Sequence, residues 1–271
     1  MTVKVVLAGC GNMGYAMLAG WLKSGRLKPA ETFVVEPNAE LRARAEKLGS
    51  AAGADVSAIA AGVEPKLVVL AVKPQVIRDV TSAYRQFGGG KTTFVSVAAG
   101  TPIATFEEIL GTATPVIRVM PNTPAAIGKG MMVSCANANV GPETAAMVQD
   151  LLAASGAVAS VDDESLMDAV TAVSGSGPAY IFHFIECLTA AGEQAGLPKE
   201  TAKLLAMQTV YGAASLAAES GEEPGRLREQ VTSPNGTTAA ALSVLMGDDR
   251  LKTLLGEAVE AARLRSIELG K

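Results

Sequence analysis

A glycine-rich turn near the start of the chain carries the clearest chemical signal. The sequence KVVLAGCGNMG follows an apolar run and opens a helical pattern. In such a turn one glycine permits a tight bend, one lets the backbone approach a pyrophosphate and one lets the helix pack on the strand. The helix N-terminus then faces the anion. A purely structural turn is the alternative, but this context favours a dinucleotide site. Its predicted residues are Gly9, Cys10, Gly11, Asn12, Met13 and Gly14.

An acidic residue follows the second Val-rich run, FVVEPN. Glu36 stands where a carboxylate accepts hydrogen bonds from the adenosine ribose, and this slightly favours NADH over NADPH. In the opposite interpretation Asn38, Arg42 or Arg44 receives a 2′-phosphate while Glu36 points away. We include Glu36 and Asn38 in the predicted cofactor site.

Two more segments, AVKP and VAAG, end strand-like runs. Ligands in open parallel sheets bind beyond the carboxyl ends of the strands, so both segments are expected near the nicotinamide and its ribose. Ordinary strand-to-helix turns are the alternative, and a solvated Lys73 is as plausible as a ligand contact. The predicted cofactor residues here are Ala71, Val72, Lys73, Pro74, Ala98, Ala99 and Gly100.

The segment SPNGTT, residues 233–238, is a turn that leads into an apolar helix. The first turn of that helix has free backbone N–H groups, and together with the helix dipole they form a receptor for a carboxylate. A helix cap made by Ser233 or Thr237 is the alternative. The predicted substrate residues are Ser233, Asn235, Gly236, Thr237 and Thr238, with the amides of the last three as donors.

A second small-residue segment, SGSGP at 174–178, interrupts two apolar helical stretches. Pro178 suits the first turn of the following helix, so a capping turn explains the composition without a ligand. The sole histidine, His183, lies in the apolar run AYIFHFIEC, which favours an interior or interface position over acid catalysis. We predict no metal site.

The elements around these motifs indicate an α/β protein in two parts. Short Val-rich runs alternate with helical stretches up to residue 161, which predicts a Rossmann-like, doubly wound parallel sheet. From residue 162 onwards the pattern is all-α. We therefore predict domains at 1–161 and 162–271. The strands are expected at 3–8, 32–36, 67–72, 92–98, 115–120, 130–135 and 157–161, with a doubtful one at 50–53. The later helices are expected at 163–173, 177–195, 199–219, 236–246 and 249–269.

Bulk properties narrow the class of partner. The 271 residues carry a net charge of −4 without clusters, which gives no footprint for nucleic acid or an anionic membrane surface. No apolar run is long enough for a transmembrane helix, and no leader is evident. Three dispersed cysteines suit a reducing cytoplasm. Segment 177–217 is apolar around much of its circumference, which predicts a homodimer or larger assembly.

With these motifs in order, together with MPNTP, the chain resembles the pyrroline-5-carboxylate reductase family over essentially its whole length. SGSGPAY followed by SPNGTT is the specific part of the match. The resemblance implies reduction of the cyclic imine to proline by NADPH or NADH, and assembly as dimers or rings of dimers. It also implies that Thr238, the predicted catalytic residue, touches the ring nitrogen, and that Ser174 and Ser176 contact substrate or cofactor. Two departures are Asn235, where a glycine is common, and the acidic Glu36.

Two other functions remain open at this point. A 3-hydroxyacid or imine dehydrogenase also joins a dinucleotide domain to a helical one, but it usually needs a lysine or histidine near the hydroxyl, and 130–198 contains no lysine. A non-catalytic dinucleotide sensor that dimerises through its helices is the second alternative. The carboxylate receptor argues against the sensor, because a sensor has no need of one.

Overall fold

The computed structural model describes residues 3–270 and contains an eight-stranded sheet in the first half of the chain. Every predicted strand is present, including the doubtful third one, which is a short edge strand. The strands are β1 Val5–Ala8, β2 Thr32–Val35, β3 Ala51–Gly53, β4 Leu67–Leu70, β5 Thr93–Ser96, β6 Val116–Met120, β7 Gly130–Ala136 and β8 Gly156–Ser160.

The strand order is β3-β2-β1-β4-β5-β6-β7-β8, and the first six strands in sequence are parallel. From β1 the sheet is extended to one side by β2 and β3 and to the other side by β4 and the later strands. The boundary between β1 and β4 is therefore the topological switch point, where open α/β sheets bind ligands. The prediction of a parallel sheet is wrong for one pair, since β7 runs antiparallel to β6. Parallel strands need a crossover of a dozen or more residues, and the segment 121–129 is too short for one.

Helices cover both faces of the sheet, as predicted for a doubly wound fold. Alternate residues of β1 point to opposite sides: Val5 and Leu7 join one apolar core, and Val6 and Ala8 join the other. All four are buried, because a strand between two helical layers has no solvent-facing side. The covering helices are α1 Asn12–Lys23, α2 Ala39–Lys47, α3 Ile77–Ala83, α4 Ile103–Leu110 and α5 Pro142–Ala153.

The remainder of the described chain is helical, as predicted. A rod that begins with a 3₁₀ turn at Glu164–Leu166 continues through α6 Met167–Val170 and ends in a π turn, Thr171–Gly175. The short helix α9 was not predicted, because PGRLREQ contains a single large apolar residue and shows no helical period. The later helices are α7 Gly177–Gln194, α8 Lys199–Glu219, α9 Pro224–Gln230, α10 Thr237–Met246 and α11 Arg250–Leu269.

Internal contacts divide the chain into two compact units. One comprises Met1–Ser176 with Ala262–Lys271, and the other comprises Gly177–Ala261. The predicted boundary after residue 161 marks the end of the last strand. The boundary between the two compact units lies later, between Ser176 and Gly177. None of the described helices is long and apolar enough to cross a membrane.

A buried charge network explains why the rod and the end of α11 belong with the sheet. Arg118 of β6 is 5% exposed, and its Nη1 donates to Glu164 Oε1 at 3.0 Å. The same oxygen accepts the Ile103 backbone N–H at the start of α4 at 2.8 Å. The second guanidinium nitrogen lies 3.9 Å from Asp168, whose Oδ1 accepts the Ser266 hydroxyl at 2.6 Å. Arg118 thus links β6 directly to Glu164 and Asp168, and through these two carboxylates to the start of α4 and the end of α11.

Candidate active site

The glycine-rich turn has the conformation that a dinucleotide site requires. Gly9 has φ +93°, and a Cβ there would lie 2.6 Å from the carbonyl oxygen of Ala71. A Cβ on Gly14 would collide with the carbonyl oxygen of Gly9. Gly11, the N-cap of α1, is different, because a Cβ there would meet nothing within 4 Å. Two glycines therefore shape the turn, and the third leaves open space at the helix N-terminus, as anion binding there requires.

Glu36 is buried at the end of β2, and both of its carboxylate oxygens accept backbone N–H groups. Oε2 accepts from Cys10 at 2.7 Å and Oε1 accepts from Asn38 at 2.9 Å. The side chain is thus turned towards the glycine-rich turn. This contradicts the alternative in which Glu36 points away. A carboxylate has about four acceptor positions, so it retains capacity for a ribose hydroxyl.

Each of the three candidate phosphate ligands of the alternative interpretation makes a contact within this region of the chain. Arg42 Nη1 donates to the carbonyl oxygens of Glu36 and Pro37 at 2.8 Å and 3.1 Å. The guanidinium of Arg44 lies 4.0 Å from the centre of the Tyr15 ring. Asn38 Oδ1 caps α2.

The thiol of Cys10 takes no part in the hydrogen bonds of the turn; its backbone N–H does. The pKa of this thiol is raised to about 11, first by burial and second by the negative charge of Glu36, while Arg44 opposes the shift. The thiol therefore stays protonated at neutral pH and is a poor nucleophile.

The predicted strand-end segments lie at the same edge of the sheet. Ala71 continues the pairing of β4 with β1 through its N–H to Ala8, and its carbonyl faces Gly9. Gly100 has φ +74° and packs against the end of α11, since a Cβ there would lie 3.2 Å from Leu269 Cβ. Lys73 is exposed. AVKP is thus in direct contact with the glycine-rich turn.

The segment 174–178 contains the end of the π turn Thr171–Gly175 and the start of α7, where Pro178 lies in the first turn as predicted. The Ser176 N–H donates to the carbonyl oxygen of Thr171 at 2.8 Å, five residues back, and Ser174 and Ser176 are half-buried. Short π segments are frequent at functional sites.

Sequence reasoning did not single out Asn122, although it follows β6 within the quoted motif MPNTP. Its side chain contacts Ser174, a predicted site residue, with Nδ2 3.2 Å from the carbonyl oxygen. Its position after a strand, in line with AVKP and VAAG, was the signal that could have identified it.

In the second compact unit, the SPNGTT segment forms the predicted turn before α10. Asn235 has φ +57°, which asparagine tolerates better than most residues. The cap by Ser233 or Thr237 is absent, because the N-cap is Gly236 and it has no side-chain cap bond. One predicted donor needs correction: the Gly236 N–H donates to the Ser233 carbonyl at 3.0 Å and closes the turn. The free first-turn amides are those of residues 237–239.

His183 is exposed within this chain, which contradicts the interior position; the interface position stays a prediction. Its imidazole Nδ1 lies 3.0 Å from Glu186 Oε2, and Nε2 lies 3.5 Å from the Cys187 sulfur. Across residues 3–270, no cluster of three or more His, Cys, Asp or Glu side chains is arranged to hold a metal ion.

The helices of the second unit expose a large apolar surface. α7 and α8 pack together through small residues, with Ala202 and Ala206 each only 2% exposed. Large apolar side chains of both helices nevertheless face solvent in the single chain. They include Ile181, Phe182, Phe184, Leu188, Leu204, Leu205 and Met207. A surface of this kind marks an interaction site.

Comparisons with known proteins agree with these motifs. Residues 164–269 match the family model described as pyrroline-5-carboxylate reductase dimerisation, and residues 4–100 match that of NADP oxidoreductase, coenzyme F420-dependent. A pyrroline-5-carboxylate reductase of Pseudomonas aeruginosa is 42% identical over 100% of this chain and 98% of the relative.

Solved structures extend the similarity to the whole fold. The pyrroline-5-carboxylate reductase of Coxiella burnetii is 36% identical, with a TM-score of 0.93 and full coverage of both chains. The Plasmodium falciparum enzyme, solved with NADP bound, is 30% identical, with a TM-score of 0.84 over 99% of this chain and 98% of that one. From its first strand to its last helix, this chain belongs to the pyrroline-5-carboxylate reductase family.

Proposed function

We propose that this protein reduces 1-pyrroline-5-carboxylate to L-proline, the last step of proline biosynthesis, using a reduced nicotinamide dinucleotide. The observation that carries the proposal is the uncapped N-terminus of α10 after the left-handed Asn235. Its free amides suit the single carboxylate of the imino acid. Family membership supplies the identity of the substrate.

The proposed substrate residues divide into three groups by role. The amides of Thr237 and Thr238 hold the carboxylate, and the Thr238 hydroxyl contacts the ring nitrogen. Ser233, Asn235 and Gly236 shape the turn, and Ser174 and Ser176 contact substrate or cofactor.

The cofactor supplies the hydride, and the first unit supplies its site. The amides at the start of α1 hold the pyrophosphate, the AVKP and VAAG segments lie against the nicotinamide half, and Glu36 accepts from the ribose. We propose a preference for NADH, because a 2′-phosphate would meet the buried Glu36 carboxylate while Arg42 is bound to backbone carbonyls. Like charges in a poorly solvated site repel strongly.

Reduction of an imine by hydride needs alignment and an electron-poor carbon, and it does not need a protein nucleophile. The imine binds as its iminium ion or takes its proton from solvent, and Thr238 orients the nitrogen. The protonated Cys10 thiol and the exposed His183 have no chemical role in this scheme.

We propose a homodimer or a ring of dimers, built on the helical region and located in the cytoplasm. The exposed apolar residues of α7 and α8 and the match to a dimerisation model support the assembly. Light scattering at micromolar concentration should give at least twice the mass of one chain, and a single-chain mass would refute the assembly.

The competing functions are weaker. A 3-hydroxyacid dehydrogenase needs a base near the hydroxyl, and the stretch 130–198 has no lysine while His183 pairs with Glu186 on an exposed helix. A sensor does not need the carboxylate receptor on α10.

One assay separates the three functions. The protein is mixed with NADH and 1-pyrroline-5-carboxylate, and absorbance at the NADH band is followed while proline is measured. Stoichiometric proline formation is expected. NADH oxidation with a 3-hydroxyacid's oxo form but not with the imine would favour the dehydrogenase, and NADH binding without turnover would favour the sensor.

A further inference from the structure

We propose that Asn122 is a positioning residue that fastens the π turn Thr171–Gly175 to the carboxyl end of β6 and so sets Ser174 for the reaction. The expected effect on imine reduction rests on the proposed reductase function. The fastening of the turn by Asn122 does not depend on which substrate the protein uses.

Both ends of the Asn122 side-chain amide are used. Oδ1 accepts the backbone N–H of Met131 in β7 at 2.9 Å, which fixes the orientation of the amide. Nδ2 then points to Ser174, 3.2 Å from its carbonyl oxygen and 3.5 Å from its hydroxyl. The strand pair β6–β7 thus holds the donor that reaches the turn.

The Ser174 carbonyl needs this outside donor because of the sequence that follows. In an α-helix it would accept from the N–H of the residue four positions later, and that residue is Pro178, which has none. A half-buried carbonyl without a partner is costly. The Asn122 side chain donates to the Ser174 carbonyl the hydrogen bond that Pro178 cannot donate.

A second contact acts on the neighbouring residue of the turn. A Cβ on Gly175 would collide with the Cε methyl of Met120, the last residue of β6. Met120 and Asn122 therefore contact the consecutive residues Gly175 and Ser174. The turn is held by packing on one residue and by hydrogen bonding on the next.

The place of Asn122 in the sheet connects this contact to the reaction. β6 is the next strand after β4 and β5, whose carboxyl ends bear AVKP and VAAG. The carboxyl ends of these parallel strands share the edge where the dinucleotide binds. Asn122 therefore places the π turn at the cofactor edge, within one compact unit.

The test is Asn122→Asp, with Asn137→Asp as a matched control. Aspartate keeps the acceptor for Met131 but turns an oxygen towards the Ser174 carbonyl. Asn137 also uses both ends of its amide, at the other end of β6: Oδ1 accepts from Val116 at 3.0 Å, and Nδ2 donates to Glu107 Oε1 at 2.8 Å and to the Thr114 carbonyl at 3.0 Å. KM for the imine, KM for NADH and hydrogen exchange of residues 167–180 are measured on the full chain.

We expect Asn122→Asp to raise KM for the imine roughly tenfold or more, the equivalent of one lost hydrogen bond of about 1.4 kcal/mol. Exchange of residues 167–180 should accelerate, and a KM for NADH that changes by less than about threefold would assign Ser174 to the substrate rather than to the cofactor. Asn137→Asp should leave all three values near those of the wild type, even where it lowers stability.

Two results would overturn the inference: unchanged exchange in residues 167–180, or equal effects of the two substitutions. Rapid exchange in Asn122→Asp with no imine reduction by the wild type would support the fastening of the turn and reject the proposed function. If Asn122→Asp does not fold, Gly175→Ala should raise KM for the imine, and adding Met120→Ala should restore it in part. Failure of that rescue would count against the inference.

Discussion

The carboxylate of Glu36 accepts the backbone N–H of Cys10 at 2.7 Å, which ties the end of β2 to the glycine-rich turn. One side chain therefore holds the shape of the glycine-rich turn and carries the negative charge on which the proposed NADH preference rests. This double role makes cofactor choice testable by substitution.

Glu36→Ser should weaken the preference for NADH over NADPH, because it removes the negative charge and the ribose acceptor together. The ratio of the two kcat/KM values should move roughly tenfold or more towards NADPH, as expected for a hydrogen bond to a charged group. Glu46→Ser, an exposed substitution near the end of α2, is the control. A wild type that clearly prefers NADPH would contradict the proposed preference.

Gly11→Ala should weaken NADH binding without unfolding the protein. The added methyl meets no protein atom within 4 Å but projects into the space proposed for the pyrophosphate. Gly141→Ala is a close control, since Gly141 is also a helix N-cap with nothing within 4 Å of its Cβ. Fluorescence titration should give a Kd raised at least about tenfold for Gly11→Ala alone. Equal affinity in the two variants would remove the pyrophosphate from this turn.

Thr238→Ala should lower kcat/KM for the imine by roughly 3- to 100-fold, because it removes the hydroxyl that orients the ring nitrogen. His183→Gln should leave it nearly unchanged, since His183 is exposed and pairs with Glu186. Steady-state rates at saturating NADH check both. A large loss in His183→Gln with full activity in Thr238→Ala would reverse the assignment.

Arg118→Met should cost about 3 kcal/mol of unfolding free energy, because it leaves Glu164 and Asp168 without their buried partner. Arg78→Met is the control: Arg78 forms a 2.8 Å ion pair with Glu108, but both side chains are more than half exposed. Its expected cost is below about 1 kcal/mol. Urea unfolding of both variants measures the difference, and similar losses would show that the network around Arg118 is not cooperative.

Local pattern determined much of this protein. The spacing of Gly9, Gly11 and Gly14 after a strand-like run predicted the glycine-rich turn, because a turn between a strand and a helix is recorded in a few adjacent residues. The strand at β4 and the turn SPNGTT before α10 were predicted for the same reason, since strand and turn preferences are also recorded in a few adjacent residues.

Tertiary structure decided the features that depend on partners distant in sequence. The antiparallel β7 followed from a connection too short to cross over. The engagement of Glu36 with Cys10, of Arg118 with Glu164, and of Asn122 with Ser174 joins residues 26 to 52 positions apart. No local period records such pairs, because a polar side chain looks the same in a sequence whether it faces solvent or a backbone donor. The fold brings each of these side chains to its partner, and the contact with that partner determines what the side chain does.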